Sequence, residues 1–119
     1  MPEGFVHEAV VRLDPGADDR APGAAITLRL CGSLSHEPPC PVAPHHTAVR
    51  SVDGASRLRV LFACDAGTEP HVRSLIDEAL REGLFHGEDG VVSRWRLESS
   101  GAGRIQPEET AHAQRLANG

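Results

Sequence analysis

Three observations predict an α+β domain, with a mainly antiparallel five-stranded sheet built from a meander plus one β-α-β crossover. Several runs alternate apolar and polar residues with a period of two, as half-buried strands do. One stretch, Val72, Leu75, Ile76, Ala79 and Leu80, instead follows the i, i+3, i+4, i+7, i+8 spacing of a helix buried along one stripe. Short connections rich in Asp, Gly and Pro separate the two kinds of pattern. At 119 residues the chain is expected to form a single small domain over 1–119, with a Cys/His/Pro-rich loop at 31–46 and a tail helix at 107–117.

The first strand is predicted at 5–13, ended by Asp14-Pro15-Gly16. A second, at 24–31, places Ile26, Leu28 and Leu30 on one face and Thr27, Arg29 and Cys31 on the other. After the proline-rich loop, 45–52 and 57–64 form a hairpin around Asp53-Gly54, with Leu58, Val60, Phe62 and Cys64 facing one way and Arg57 and Arg59 the other. The long helix follows, with Thr68 or Glu69 to cap it, Pro70 in its first turn and Gly83 as its stop. A last strand at 91–98 turns Val91, Trp95 and Leu97 to the core and Arg94 and Arg96 away from it. Strand, helix, strand predicts a crossover, with the strands on either side running parallel. Residues 99–103 read as a glycine-rich connection to the tail helix, whose apolar face is weak.

Composition narrows the function classes. Aromatics are confined to Phe5, Phe62, Phe85 and Trp95, so the core must be aliphatic, and a thin core often gains stability from a metal or a second subunit. Every cation is arginine, and without lysine Schiff-base chemistry is excluded. A net charge of -5 argues against a general nucleic-acid binder, whose affinity comes from cationic surplus. No apolar run approaches the roughly 18 residues of a membrane span, and residues 1–10 lack the pattern of a signal peptide. The expectation is a cytoplasmic protein without a membrane partner, whose cysteines serve as free thiols, ligands or reactive groups rather than disulfides.

The densest chemistry lies in CGSLSHEPPCPVAPHH, where Cys31, His36, Cys40, His45 and His46 sit among four prolines. Thiolate and imidazole suit zinc and copper, and about four such donors close a zinc site while two or three hold Cu(I). Adjacent residues of an extended segment face opposite sides, so one of His45 and His46 is expected to bind. The spacings lack the tight C-x2-C turn of common zinc sites, whereas the prolines lower the entropy lost on closing the loop. In the expected meander, Cys64 and His71 reach the same sheet edge. The candidate metal ligands are then Cys31, His36, Cys40, His45, His46, Cys64 and His71. Structural or incidental use of the same residues is the plainer alternative, and His7, His86 and His112 are expected to be incidental.

A nucleophilic reading would use Cys40 or Cys64, with His71 as base and Asp65 to orient it. No cysteine-hydrolase signature supports this, so an enzyme is not favoured. A different class of function rests on Arg12, Arg29, Arg57, Arg59, Arg94 and Arg96, all predicted on the sheet face away from the core. A solvated face is ordinarily polar, yet this much positive charge in an acidic protein suits an anion or an acidic partner. It offers no aromatic platform for single-stranded RNA. An uncovered sheet edge would favour a homodimer. The sequence therefore predicts a zinc- or copper-binding protein first. The alternative is a non-enzymatic accessory or interaction module with unligated cysteines.

Overall fold

The computed structural model describes residues 2–32, 43–87 and 89–118. The order of elements is β1 (Glu3–Leu13), α1 (Ala21–Cys31), β2 (His45–Val52), β3 (Ala55–Cys64), α2 (Glu69–Glu82), β4 (Leu84–His86), β5 (Val92–Gly103) and α3 (Thr110–Ala117), with 3-10 turns leading into α2 and α3. The five strands form one sheet in the order β2-β3-β1-β5-β4, and every neighbouring pair is antiparallel. This is the expected α+β class with one long helix and a short C-terminal one. The path through the sheet differs from the expected meander.

The difference begins at 24–31, which is helix and not strand. Ala21, Ala25, Ile26 and Leu30 are buried at helical spacing, while Leu28 is 40% exposed. Apolar residues at 26, 28 and 30 satisfy a period of two over too short a span to outweigh the helical stripe. Pro22, which reads as a loop residue, sits in the first turn of α1, where its missing N–H costs nothing. Gly32 then closes the helix by donating its N–H to the Leu28 carbonyl, 2.9 Å away.

With α1 a helix, the sheet contains one split β-α-β unit and a second, longer crossover. From β1 the chain crosses through α1 to β2, leaving room for β3 between them, and from β3 it crosses through α2 to β4 at the far edge, then turns back into β5 beside β1. Strands β3 and β5 run in the same direction, as the crossover predicted, but β1 lies between them in the sheet and β4 between them in the chain. The β2–β3 hairpin forms as expected. Its turn needs positive φ at both central residues, which Asp53 (50°) and Gly54 (80°) adopt.

Two features of β5 escaped the alternation rule. It runs on through the glycine-rich 99–103, pairing Gly101 with Glu8 and Gly103 with Val6, and it is joined by the unpredicted three-residue β4. A β-bulge lies between these halves. Val10 pairs with Ser99 while the next residue, Val11, pairs with Leu97, so Glu98 is the extra residue.

Helices α1 and α2 cover one face, burying Phe62, Ile26, Leu30, Leu58, Ile76 and Leu80 between helix and sheet. Trp95 joins this core and donates its indole N–H to the Leu80 carbonyl at 2.9 Å. Among the described residues, the opposite face is covered at one end. There α3 sets Ala113 over Val6 and Leu61. Gly4 permits this approach, because a Cβ at that position would lie 2.7 Å from the Cβ of Ala113.

Candidate functional site

Cys31 ends α1 rather than a strand, yet it still meets the start of β2: its sulfur lies 3.7 Å from Nδ1 of His45. The same nitrogen is 3.2 Å from the Ala43 carbonyl, which can accept a hydrogen bond and nothing more. Nδ1 therefore carries the proton, and Nε2 accepts from the Thr27 hydroxyl at 3.0 Å. Cys31 is disulfide-bonded, contrary to the expectation of free thiols, and a sulfur so committed supplies no thiolate. His36 and Cys40 lie outside the described residues.

The remaining candidates diverge. His46 points to the opposite face of the sheet, its ring 5.0 Å from that of His112 on α3. His71 is exposed in the first turn of α2. Cys64 is a free thiol buried in the core, and burial raises its pKa, reinforced by Glu69 and Asp65. The sulfur faces apolar neighbours and carboxylates, which disfavour a thiolate. Among the described residues no group of three or more His, Cys, Asp or Glu side chains could hold a metal ion.

His7, expected to be incidental, is instead buried within a polar network. Arg73 of α2 reaches down to donate to Nδ1 of His7 at 3.1 Å and to the Val6 carbonyl at 2.8 Å, and its Nε pairs with Glu69 at 2.7 Å. A guanidinium has no acceptor, so the Nε2 of His7 bears the hydrogen and donates it to Ser100 Oγ at 2.8 Å. Ser100 in turn bonds Asp77. In this tautomer His7 cannot take a proton from Ser100, so the pair is structural and not a nucleophile with its base.

Burial, and then the Arg73 charge, lower the pKa of His7. A folded-state value below the ordinary 6.5 means that the unfolded chain binds the proton more readily. The stability that His7 contributes is complete above the ordinary 6.5 and is lost as pH falls from there through the lowered folded-state value. Urea unfolding across this range is expected to show a steeper loss of stability toward acid for the wild type than for His7→Gln. Parallel profiles would refute the assignment.

The face opposite α1 and α2 carries the arginines. Alternation puts Arg12 of β1, Arg57 and Arg59 of β3, and Arg94 and Arg96 of β5 there, as the sequence predicted. Arg29 is the exception, because α1 turns it toward α2, where it pairs with Glu78 (3.1 Å) and Glu82 (3.0 Å). Arg50 of β2 takes its place. It was missed by sequence reasoning, although a two-residue turn at Asp53-Gly54 pairs Val52 with Ala55 and so sets Arg50 opposite Arg57.

These cations are not equally engaged. Arg59 is held by Glu109, at the start of α3, through two bonds of 2.8 and 2.6 Å, and also by Glu8 and the Arg104 carbonyl. Arg12 pairs with Glu98 at 3.0 Å. Among the described residues, Arg50, Arg57, Arg94 and Arg96 have no carboxylate within ion-pair distance. Arg50 faces Arg57, and Arg12 faces Arg96, directly across the ladder. An open cavity of about 770 Å³ lies over this face, with Val10, Ala48 and Gly101 as its floor and Arg50, Arg57, Arg59, Ser99 and the Arg59-paired Glu8 around it. Compared with family models, curated proteins and solved structures, the chain matches none.

Proposed function

We propose that this protein is a non-enzymatic interaction module that binds an anionic or acidic partner across its open, arginine-bearing sheet face. The observation that carries this reading is the opposition of Arg50 and Arg57 in register, beside the cavity and without a carboxylate partner among the described residues. Like charges directly opposite one another destabilise a sheet by some tenths of a kcal/mol. An anion seated between them reverses that sign and gains charge-assisted hydrogen bonds.

The test is titration of the full chain with polyglutamate and with inorganic triphosphate. Affinity for at least one is expected to fall about tenfold or more between about 50 mM and about 500 mM salt, and to fall similarly in the Arg50→Gln/Arg57→Gln double variant. Binding that ignores both salt and the double substitution would sink the proposal.

A second reading, zinc or copper binding, draws support from the meeting of Cys31 and His45. It requires the Cys31 sulfur as a thiolate and the Nδ1 of His45 relieved of the proton it directs at the Ala43 carbonyl. Calorimetric titration with zinc or Cu(I) under reducing conditions should therefore give saturable binding that Cys31→Ser abolishes. Equal binding by the variant would remove this reading.

A further inference from the structure

Resting on that reading of the open face, we propose that its partner is an extended acidic protein segment laid over β1, whose carboxylates, two residues apart, are met by Arg57 from β3 in one row and by Arg96 from β5 in the next. The first support comes from the chain itself. The Pro107-Glu108-Glu109 turn already lies on this face, and Glu109 grips the guanidinium of Arg59 through both of its oxygens. The face thus accepts one acidic segment of its own. Two residues further along β3 stands Arg57, with Arg50 beside it, and no carboxylate of the described residues serves them.

The second support is spacing. Arg57 pairs with Val10, and Arg12 is two residues on from Val10 in β1, so the Arg50/Arg57 and Arg12/Arg96 pairs occupy successive rows of the same face. Successive same-face rows of a sheet lie about 6.5–7 Å apart, which is also the separation of alternate side chains in an extended chain. Acidic residues at i and i+2 of a segment laid over β1 therefore come within reach of Arg57, on β3 to one side, in the first row and of Arg96, on β5 to the other side, in the next. Glu98 engages Arg12 from the side, which leaves Arg96 as the uncommitted cation of its row.

The third support is the floor. Val10, Ala48 and Gly101 are small, so a backbone can lie close to the sheet. The aromatic residues are elsewhere: Phe5 and Phe62 stack on the helix-covered side, and Trp95 is buried there. No Phe, Trp or His ring lines the cavity beside Arg50 and Arg57, so a nucleobase has no platform there, whereas a carboxylate needs only the guanidinium.

The experiment uses fluorescence anisotropy of the full chain with a labelled octapeptide of alternating Glu and Ser. The controls are its Gln/Ser counterpart and competition by inorganic triphosphate. The Glu peptide is expected to bind about tenfold or more tightly than the Gln peptide, and Arg57→Gln and Arg96→Gln are each expected to weaken it severalfold. Arg29→Gln, on the other side of the sheet, should leave it unchanged. Thermal melts confirm that the variants fold, since Arg57 and Arg96 are exposed and without ion pairs among the described residues. If triphosphate binds with salt sensitivity while the Glu peptide is no better than the Gln peptide, the acidic segment is refuted and the anion-binding face stands. If neither binds, both fall.

Discussion

Phe62→Ala is expected to lower the free energy of unfolding by about 3–5 kcal/mol, the range for removing a fully buried ring. Its ring lies 5.6 Å from that of Phe5, and the Arg73 guanidinium sits over it at 5.2 Å from the centroid. In a chain with so few aromatics, no neighbour can swell to fill the space. A domain of this size has about 5–15 kcal/mol in total, so the variant should sit at the edge of folding. The loss also reaches the polar network, because Arg73 loses the platform from which it reaches His7 and Val6. Urea denaturation gives the measurement: the midpoint should drop while the slope is kept. A loss below about 1 kcal/mol would mean that the ring is not packed as described.

Glu109→Gln is expected to loosen α3 from the sheet. Arg59 holds the Glu109 carboxyl far below its ordinary 4.5, at about 2, and the Gln106 N–H adds to the effect. Because the folded value is depressed, the stabilisation is fully present above pH 4.5 and is lost as pH falls toward 2. Both side chains retain some exposure, 25% for Arg59 and 22% for Glu109, so solvent screens the pair. The pair is worth about 1–2 kcal/mol on that account. The wild type should therefore lose stability between pH 5 and pH 2 more steeply than Glu109→Gln, and amide exchange over α3 should quicken in the variant at neutral pH. Identical acid profiles with unchanged exchange would refute the assignment.

What the sequence revealed depended on whether a segment's signals were local. Helix α2 announced itself through five apolar residues at helical spacing with Pro70 and Gly83 at its ends, and the β2–β3 hairpin through Asp53-Gly54 and the alternation after it. The 24–31 segment misled because Ile26, Leu28 and Leu30 fit a strand, and what makes it a helix is the burial of Ala21, Ala25 and Ile26 against the sheet, a tertiary effect. That error placed Arg29 on the open face and Cys31 at a strand end. Strand order was also hidden, since β1 inserts between β3 and β5 through contacts far apart in the chain. The arginine face was legible because alternation needs only the strand itself. The pairing of Glu109 with Arg59 was not, because fifty residues separate them.

The bulge in β5 bears on how much positive charge the open face presents. Before Glu98 the odd-numbered Ser93, Trp95 and Leu97 face the helices, and after it the even-numbered Ser100 and Ala102 do. Since Val10 and Val11 already pair with the residues flanking Glu98, excising that one residue would close the ladder and leave each of those side chains on its present side. What would disappear is the carboxylate on Arg12. Glu98 is thus an attenuator. The strand can add or drop it without rebuilding the fold, and so adjust the strength of the cationic surface by a single unit.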